Sequence, residues 1–131
     1  MAAMLMARLV STVLTATVMV GGATLALAAG DAASGKKVFK KCKQCHTLEV
    51  GKTKIGPSLA GVVGRRPGTV EGFKYSQAMI DFGAAGNVWD EATLDVYLTK
   101  PRNLVKKTKM AFPGLKKESD RADLIAYLAQ F

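Results

Sequence analysis

Cys42-Lys43-Gln44-Cys45-His46 holds both cysteines and the only histidine of this 131-residue chain. Two thiols separated by two residues and followed at once by an imidazole form the attachment signature of a c-type haem. Cys42 and Cys45 would add to the two porphyrin vinyl groups, and His46 would lie under the ring with a nitrogen on the iron. A C-x-x-C pair can instead be half of a structural zinc site or a redox dithiol. Zinc needs about four ligands, and no other Cys or His exists to complete the set. A thioredoxin-like dithiol expects a βαβ context, and nothing downstream alternates like strands. With the pentapeptide committed to haem, no thiol remains for a disulfide and no imidazole for general acid–base work.

The N-terminus bears on compartment. Residues 1–29 carry one charge, Arg8, followed by an uncharged run over residues 9–29. Ala26-Leu27-Ala28 supplies a small-x-small cleavage pattern, so residues 1–28 read as a cleavable signal peptide. The competing reading is an uncleaved anchor, since ~20 apolar residues can span a bilayer. Ser11, Thr12, Thr15, Thr17 and Thr24 dilute the run, and the folded part starts almost at once, near Asp31, leaving no tether. Removal is the favoured reading. Periplasmic export also fits the chemistry, because haem is attached to this motif outside the bacterial inner membrane. The formal charge is +9, or +8 once Arg8 departs with the leader.

Residues 29–131 then form one small domain. A core that small is marginal by itself, and an apolar porphyrin would supply much of what is missing. Asp31 or Ser34 can cap a first helix, with Val38, Phe39 and Cys42 on one face. Gly35 inside it suits a close crossing by another helix. Residues 47–69 are rich in Gly and Pro and read as loop. A short helix starts at Ser76 and ends before Gly83 and Gly86. Asp90 caps a clearer helix through Thr99, closed by Pro101. Residues 102–117 read as a basic loop, and Ser119 as the cap of a last helix bearing Leu124, Tyr127 and Leu128. The predicted class is all-α, helices and long loops wrapped around one ligand.

Two methionines lie beyond the leader, Met79 and Met110. Met79 sits at helical apolar spacing, where methionine is commonly core filler. Met110 lies in Thr108-Lys109-Met110-Ala111-Phe112-Pro113-Gly114, a loop that turns back at Pro-Gly and can present its thioether inward. Met110 is therefore the expected second axial ligand. His/Met ligation raises the reduction potential, suits electron transfer, and closes the iron to substrates.

These features are joined by a resemblance across residues 30–131 to class I c-type cytochromes, close to mitochondrial cytochrome c and closest to the bacterial cytochrome c2 type. It rests on Gly35-Lys36-Lys37-Val38-Phe39, the run from Gly56-Pro57 to Gly64-Arg65, Tyr97-Leu98, Lys109-Met110-Ala111-Phe112 and Asp123-Leu124-Ile125-Ala126-Tyr127-Leu128. The resemblance implies the cytochrome c fold and one haem c with its iron, covalent through Cys42 and Cys45. It implies that the Pro57 carbonyl accepts the proton on the far nitrogen of His46. It also implies that Tyr75 and Trp89 bond a buried propionate, that Arg65 offsets its charge, and that Tyr97 and Thr108 place hydroxyls near the methionine sulfur and the second propionate. Gly35, Phe39, Leu124 and Tyr127 resemble the crossing of first and last helices. Two departures stand out: Met79 replaces an asparagine frequent in the family, and the interval from Tyr75 to Trp89 is a few residues longer. They imply a drier haem edge and a potential unlike that of typical relatives.

Lys36, Lys37, Lys40, Lys41 and Lys43 crowd the approach to the thioethers, and Lys106, Lys107, Lys109, Lys116 and Lys117 flank the methionine loop. Individually such lysines are ordinary solvated charges. Together they read as a ring that steers acidic docking surfaces into brief contact. The expected partners are membrane redox complexes (a cytochrome bc complex, a cytochrome oxidase or a photosynthetic reaction centre) or a periplasmic dehydrogenase. Nucleic acid is not expected, and a monomer is. The leading function is a periplasmic one-electron carrier and not an enzyme. Its rivals are a haem peroxidase or gas sensor, which needs an open sixth position, and a thiol oxidoreductase, which needs free thiols.

Overall fold

The computed structural model describes residues 29–131. The expected leader lies outside the described residues. Within them the chain forms five α-helices and no strand: α1 Ala32–Val38, α2 Gln77–Ala84, α3 Glu91–Thr99, α4 Pro101–Leu104 and α5 Glu118–Leu128. None of these helices is long and apolar enough to cross a membrane. The all-α class is as expected.

Helix α1 starts where the Asp31 carboxylate accepts from the backbone N–H groups of Ala33 and Ser34, at 2.8 and 3.3 Å. Those bonds satisfy two of the free donors at a helix start and hold the Asp31 carboxyl below its ordinary range. The α-helical stretch stops earlier than its apolar spacing suggested. A 3₁₀ turn over Phe39–Lys41 tightens the chain, and Cys42 N–H reaches the Phe39 carbonyl at 2.8 Å. That tightening turns the chain directly into the haem-binding motif.

Helices α1 and α5 cross at Gly35, whose Cα lies so close to the Asp123 carbonyl that a β-carbon would overlap it. The rings of Phe39 and Tyr127 meet at 5.6 Å across the same crossing. Leu124, 1 % exposed, seals it from inside. The backbone N–H of Asp31 also donates to Asp123 Oδ1 at 2.7 Å, closing the end of the pair.

Three boundaries differ from the sequence reading. Gly83 lies inside α2, because its missing side chain admits the Pro67 carbonyl, and the helix ends one residue later. Pro101 ends α3 as expected but also opens α4 as its first residue, a position where its absent N–H costs nothing. Ser119 does not cap α5: the helix begins at Glu118, with Lys117 in the cap position and no side-chain cap. The reason lies in Arg121, which is buried and holds the carbonyls of Leu115 and Lys116. Those bonds set the direction of entry before Ser119 is reached.

Gly35→Val should destabilise the haem-loaded protein by ~1–3 kcal/mol, the cost of overpacking a tight contact. Guanidinium unfolding followed by circular dichroism measures it.

Candidate haem site

The 3₁₀ turn delivers Cys42 to a compact loop in which Cys45 and His46 N–H groups both point to the Cys42 carbonyl, at 3.1 and 3.0 Å. This local winding places Cys42, Cys45 and His46 on one wall of a cavity of about 440 Å³. The methionine loop lines the same cavity with Thr108, Met110 and Phe112. Leu94, Tyr97 and Leu98 of α3 and Leu124 and Leu128 of α5 line it as well. Pro57, Arg65, Tyr75 and Trp89 complete the lining, so all ten site residues expected from the sequence border one space.

His46 is oriented by a single bond. Its Nδ1 lies 2.8 Å from the Pro57 carbonyl oxygen. A carbonyl only accepts, so Nδ1 carries the proton and Nε2 keeps the lone pair that can bind a metal. Gly56 closes on the same ring: a β-carbon there would sit 2.5 Å from His46 Cε1. The Gly56 N–H is meanwhile held by the Cys45 carbonyl at 2.7 Å. Burial lowers the pKa of His46 against the opposing pull of the Pro57 bond, keeping the imidazole neutral.

Burial pushes the Cys42 thiol up to about 11. A thiol held that far from ionisation is a poor redox nucleophile, whereas a thioether, being neutral, loses nothing in the same place. The donor set of two thiols, an imidazole nitrogen and a thioether in an apolar cavity fits a covalent haem. It does not fit a polar metal cluster, and among the described residues no group of three or more His, Cys, Asp or Glu could hold one.

On the methionine side, Tyr97 Oη lies 3.8 Å from Met110 Sδ and 3.1 Å from Thr108 Oγ1. The Met110 N–H points to Thr108 Oγ1 at 3.4 Å. Tyr97 has one proton, and sulfur can only accept it. Either hydroxyl can donate in the pair, and with Thr108 as the donor the Tyr97 proton is free to point at the sulfur. Burial raises the Tyr97 pKa, so the phenol stays protonated as this arrangement requires.

Arg65 is bound to the carbonyls of Ala60 and Ser58, at 2.9 and 3.1 Å. Tyr75 Oη accepts from the Val70 N–H at 3.2 Å, which leaves its proton available. Trp89 packs at a tilt against Phe82 and Tyr97, with ring centroids 5.6 and 4.7 Å away. Met79, 8 % exposed, also faces the cavity. Two contributors gave no sequence signal. Lys54 Nζ donates to the Lys43 carbonyl inside the haem-binding motif, and Ile55 forms part of the rim while remaining 78 % exposed. Both sit in a polar loop where neither spacing nor residue type marks them.

A helical domain that closes one apolar cavity over two thiols and an imidazole of a C-x-x-C-H motif defines a c-type haem protein. The cytochrome c family model matches residues 32–131. Cytochrome c2 of Rhodoblastus acidophilus is 50% identical over 104 residues, covering 79% of this chain and 94% of the relative. Cytochrome c-554 of Methylosinus trichosporium is 47% identical over 107 residues, covering 81% and 79%. The solved structure of cytochrome cH from Methylobacterium extorquens superposes with a TM-score of 0.71 at 41% identity, covering 78% of this chain and all of that one. The chain belongs to the cytochrome c family. It binds covalent haem c, and it is an electron carrier and not an enzyme.

Gly56→Ala should force the imidazole off the Pro57 carbonyl. The expected result is a loss of ~1–3 kcal/mol in stability, with a changed reduction potential. Denaturant unfolding and a redox titration of the same variant read the two effects.

Proposed function

We propose that the mature chain is a soluble periplasmic one-electron carrier whose haem iron is held by His46 on one face and Met110 on the other. Met110 lines the same cavity as His46, Cys42 and Cys45, with Tyr97 turned to its sulfur; that juxtaposition carries the reading. Bound haem c supplies one-electron exchange between ferric and ferrous iron. The residues supply the rest. The Pro57 bond fixes the tautomer and aim of His46. Tyr97 donates to the Met110 sulfur, drawing electron density from it and favouring the reduced state. Leu94, Leu98, Leu124 and Leu128 exclude water from the ring. Tyr75 and Trp89 would bond a buried propionate, Arg65 would offset its charge, and Thr108 would meet the second.

The C-x-x-C-H chemistry, the expected leader over residues 1–28 and the similarity to bacterial cytochromes c2 support the proposed location. The ten lysines named above are all exposed, and Lys41 and Lys109 lie on the cavity rim. They would meet acidic surfaces of a cytochrome bc complex, a cytochrome oxidase, a reaction centre or a periplasmic dehydrogenase, with the chain acting as a monomer.

A redox titration with the absorption spectrum recorded throughout tests the ligation. The ferric protein should show the weak red-region band of a thioether on iron. Met110→Ala should lose it and bind carbon monoxide rapidly in the ferrous state; a parent protein without the band would reject Met110. Tyr97→Phe should keep the band and lower the potential by ~20–60 mV, the equivalent of one modest hydrogen bond.

Raising ionic strength from about 0.01 to 0.15 M shortens the Debye length from about 30 to about 8 Å. The bimolecular rate of electron transfer to an acidic partner should then fall by roughly tenfold or more. Stopped-flow measurement across that salt range checks it, and a flat profile would remove the docking ring.

A further inference from the structure

Residues 105–117, which carry Met110, contain no helix, so the arm depends on its two ends and on the ties Lys109 makes to the Lys74 carbonyl and Thr108 to Tyr97. Its entry is a turn in which the Thr108 N–H donates to the Val105 carbonyl at 3.1 Å. Lys107 occupies the third position of that turn with φ 63°, a left-handed conformation that glycine adopts freely and lysine does not. The entry is therefore strained at Lys107, and its hold comes from Val105, buried at 2 % exposed.

The exit is built differently. The Leu115 N–H donates to the Leu98 carbonyl at 2.7 Å. Gly114, at φ 112°, lies so close to the Thr99 carbonyl that a side chain would overlap it. Over this junction lies Arg121 of α5, the only buried charged side chain among the described residues, at 8 % exposed. Its Nε donates to Asp95 Oδ1 of α3 at 2.6 Å. Its Nη1 donates to the carbonyls of Leu115 and Lys116, at 3.0 and 3.1 Å. A buried guanidinium is costly unless its donors are used, and here three N–H bonds reach three acceptors in one rigid plane.

We infer that Arg121 is a positioning residue for Met110, its fork fixing the exit of the arm so that the thioether is kept at the iron. The inference rests on the His46/Met110 ligation proposed above. Two of the three acceptors belong to the arm, five and six residues beyond Met110, and the third belongs to the helix that carries Tyr97. The crossing of α1 and α5 is held elsewhere, at Gly35 and Leu124. Losing the fork therefore releases the arm before it releases the helices.

The test compares Arg121→Lys and Asp95→Asn with the parent as loaded haem proteins. Lysine keeps the charge beside Asp95 but, as a point donor, cannot span the carboxylate and both carbonyls. Asparagine at 95 removes the ion pair and leaves both Nη1 bonds to the arm. In Arg121→Lys the red-region ferric band should weaken, and cyanide should bind the ferric protein about tenfold faster or more, the scale of one lost charge-assisted hydrogen bond. The Leu115 amide should exchange faster by a similar factor, while the Leu124 and Ile125 amides keep the parent rate. Asp95→Asn should stay within about threefold of the parent in cyanide binding. An Arg121→Lys protein with an undiminished band and parental cyanide rate overturns the inference. So does one in which cyanide binding and exchange at Leu124 and Ile125 rise together, because the arginine would then act on global stability alone. A parent lacking the band overturns the ligation reading and, with it, this one.

Discussion

The domain is arranged around the bond between the Pro57 carbonyl and Nδ1 of His46. A proline carbonyl can only accept, so this one contact decides which nitrogen keeps a lone pair and where that lone pair is aimed. The neighbouring glycine leaves the ring no room to tilt toward the backbone. The loop of residues 47–56 is in turn folded to deliver these two residues. Thr47 Oγ1 accepts from the Glu49 N–H at 3.0 Å, Ser58 Oγ donates to the Glu49 carbonyl at 2.7 Å, and the Leu59 N–H reaches the Thr47 carbonyl at 2.9 Å. An irregular segment is thereby tied at Thr47 and Glu49 without helical periodicity.

The two sides of the cavity are secured by different physics. On the histidine side the fastening is local: three residues of one turn carry both thiols and the imidazole, and the amides of Cys45 and His46 close on the Cys42 carbonyl. On the methionine side it is non-local. Met110 stands on an arm that depends on α3 through Leu98 and Tyr97, and on α5 through Arg121. Local contacts survive partial opening better than contacts that need distant segments to stay docked. Under the ligation proposed above, the methionine side would accordingly be where ligand exchange begins.

Legibility in the sequence followed the same division. The C-x-x-C-H pentapeptide and the Asp90 cap of α3 could be read because their chemistry is complete within a few residues. Gly35 was legible as a helix crossing because a glycine in mid-helix has few other uses. The start of α5 was not legible: Ser119 is a good cap by residue type, but the arginine fork settles the path of the chain first. Gly83 looked like a helix stop and is a contact point for the Pro67 carbonyl, a partner sixteen residues away that no local pattern names. Arg121 itself reads as one more solvated charge on a helix rich in acids, and only its burial reveals otherwise. The places of Tyr75, Trp89, Tyr97 and Thr108 came from family resemblance, since their spacing alone is that of ordinary core aromatics and a loop threonine.

Two lysines hold loop segments through backbone carbonyls. Lys54 fastens the haem-binding loop through the Lys43 carbonyl, and Lys109 ties the methionine arm to the Lys74 carbonyl at 2.7 Å. Each ammonium ends on a neutral carbonyl and not on a carboxylate, so the tie is made without cancelling the charge. Among the described residues the ion pairs are Lys52 with Glu49 and Arg121 with Asp95, and neither uses a lysine of the two clusters. The long methylene stems can cover apolar rim atoms while the charged ends stay in water. A positive docking surface, as proposed above, is thus compatible with these ties: Lys109, which would steer a partner, also braces the methionine arm.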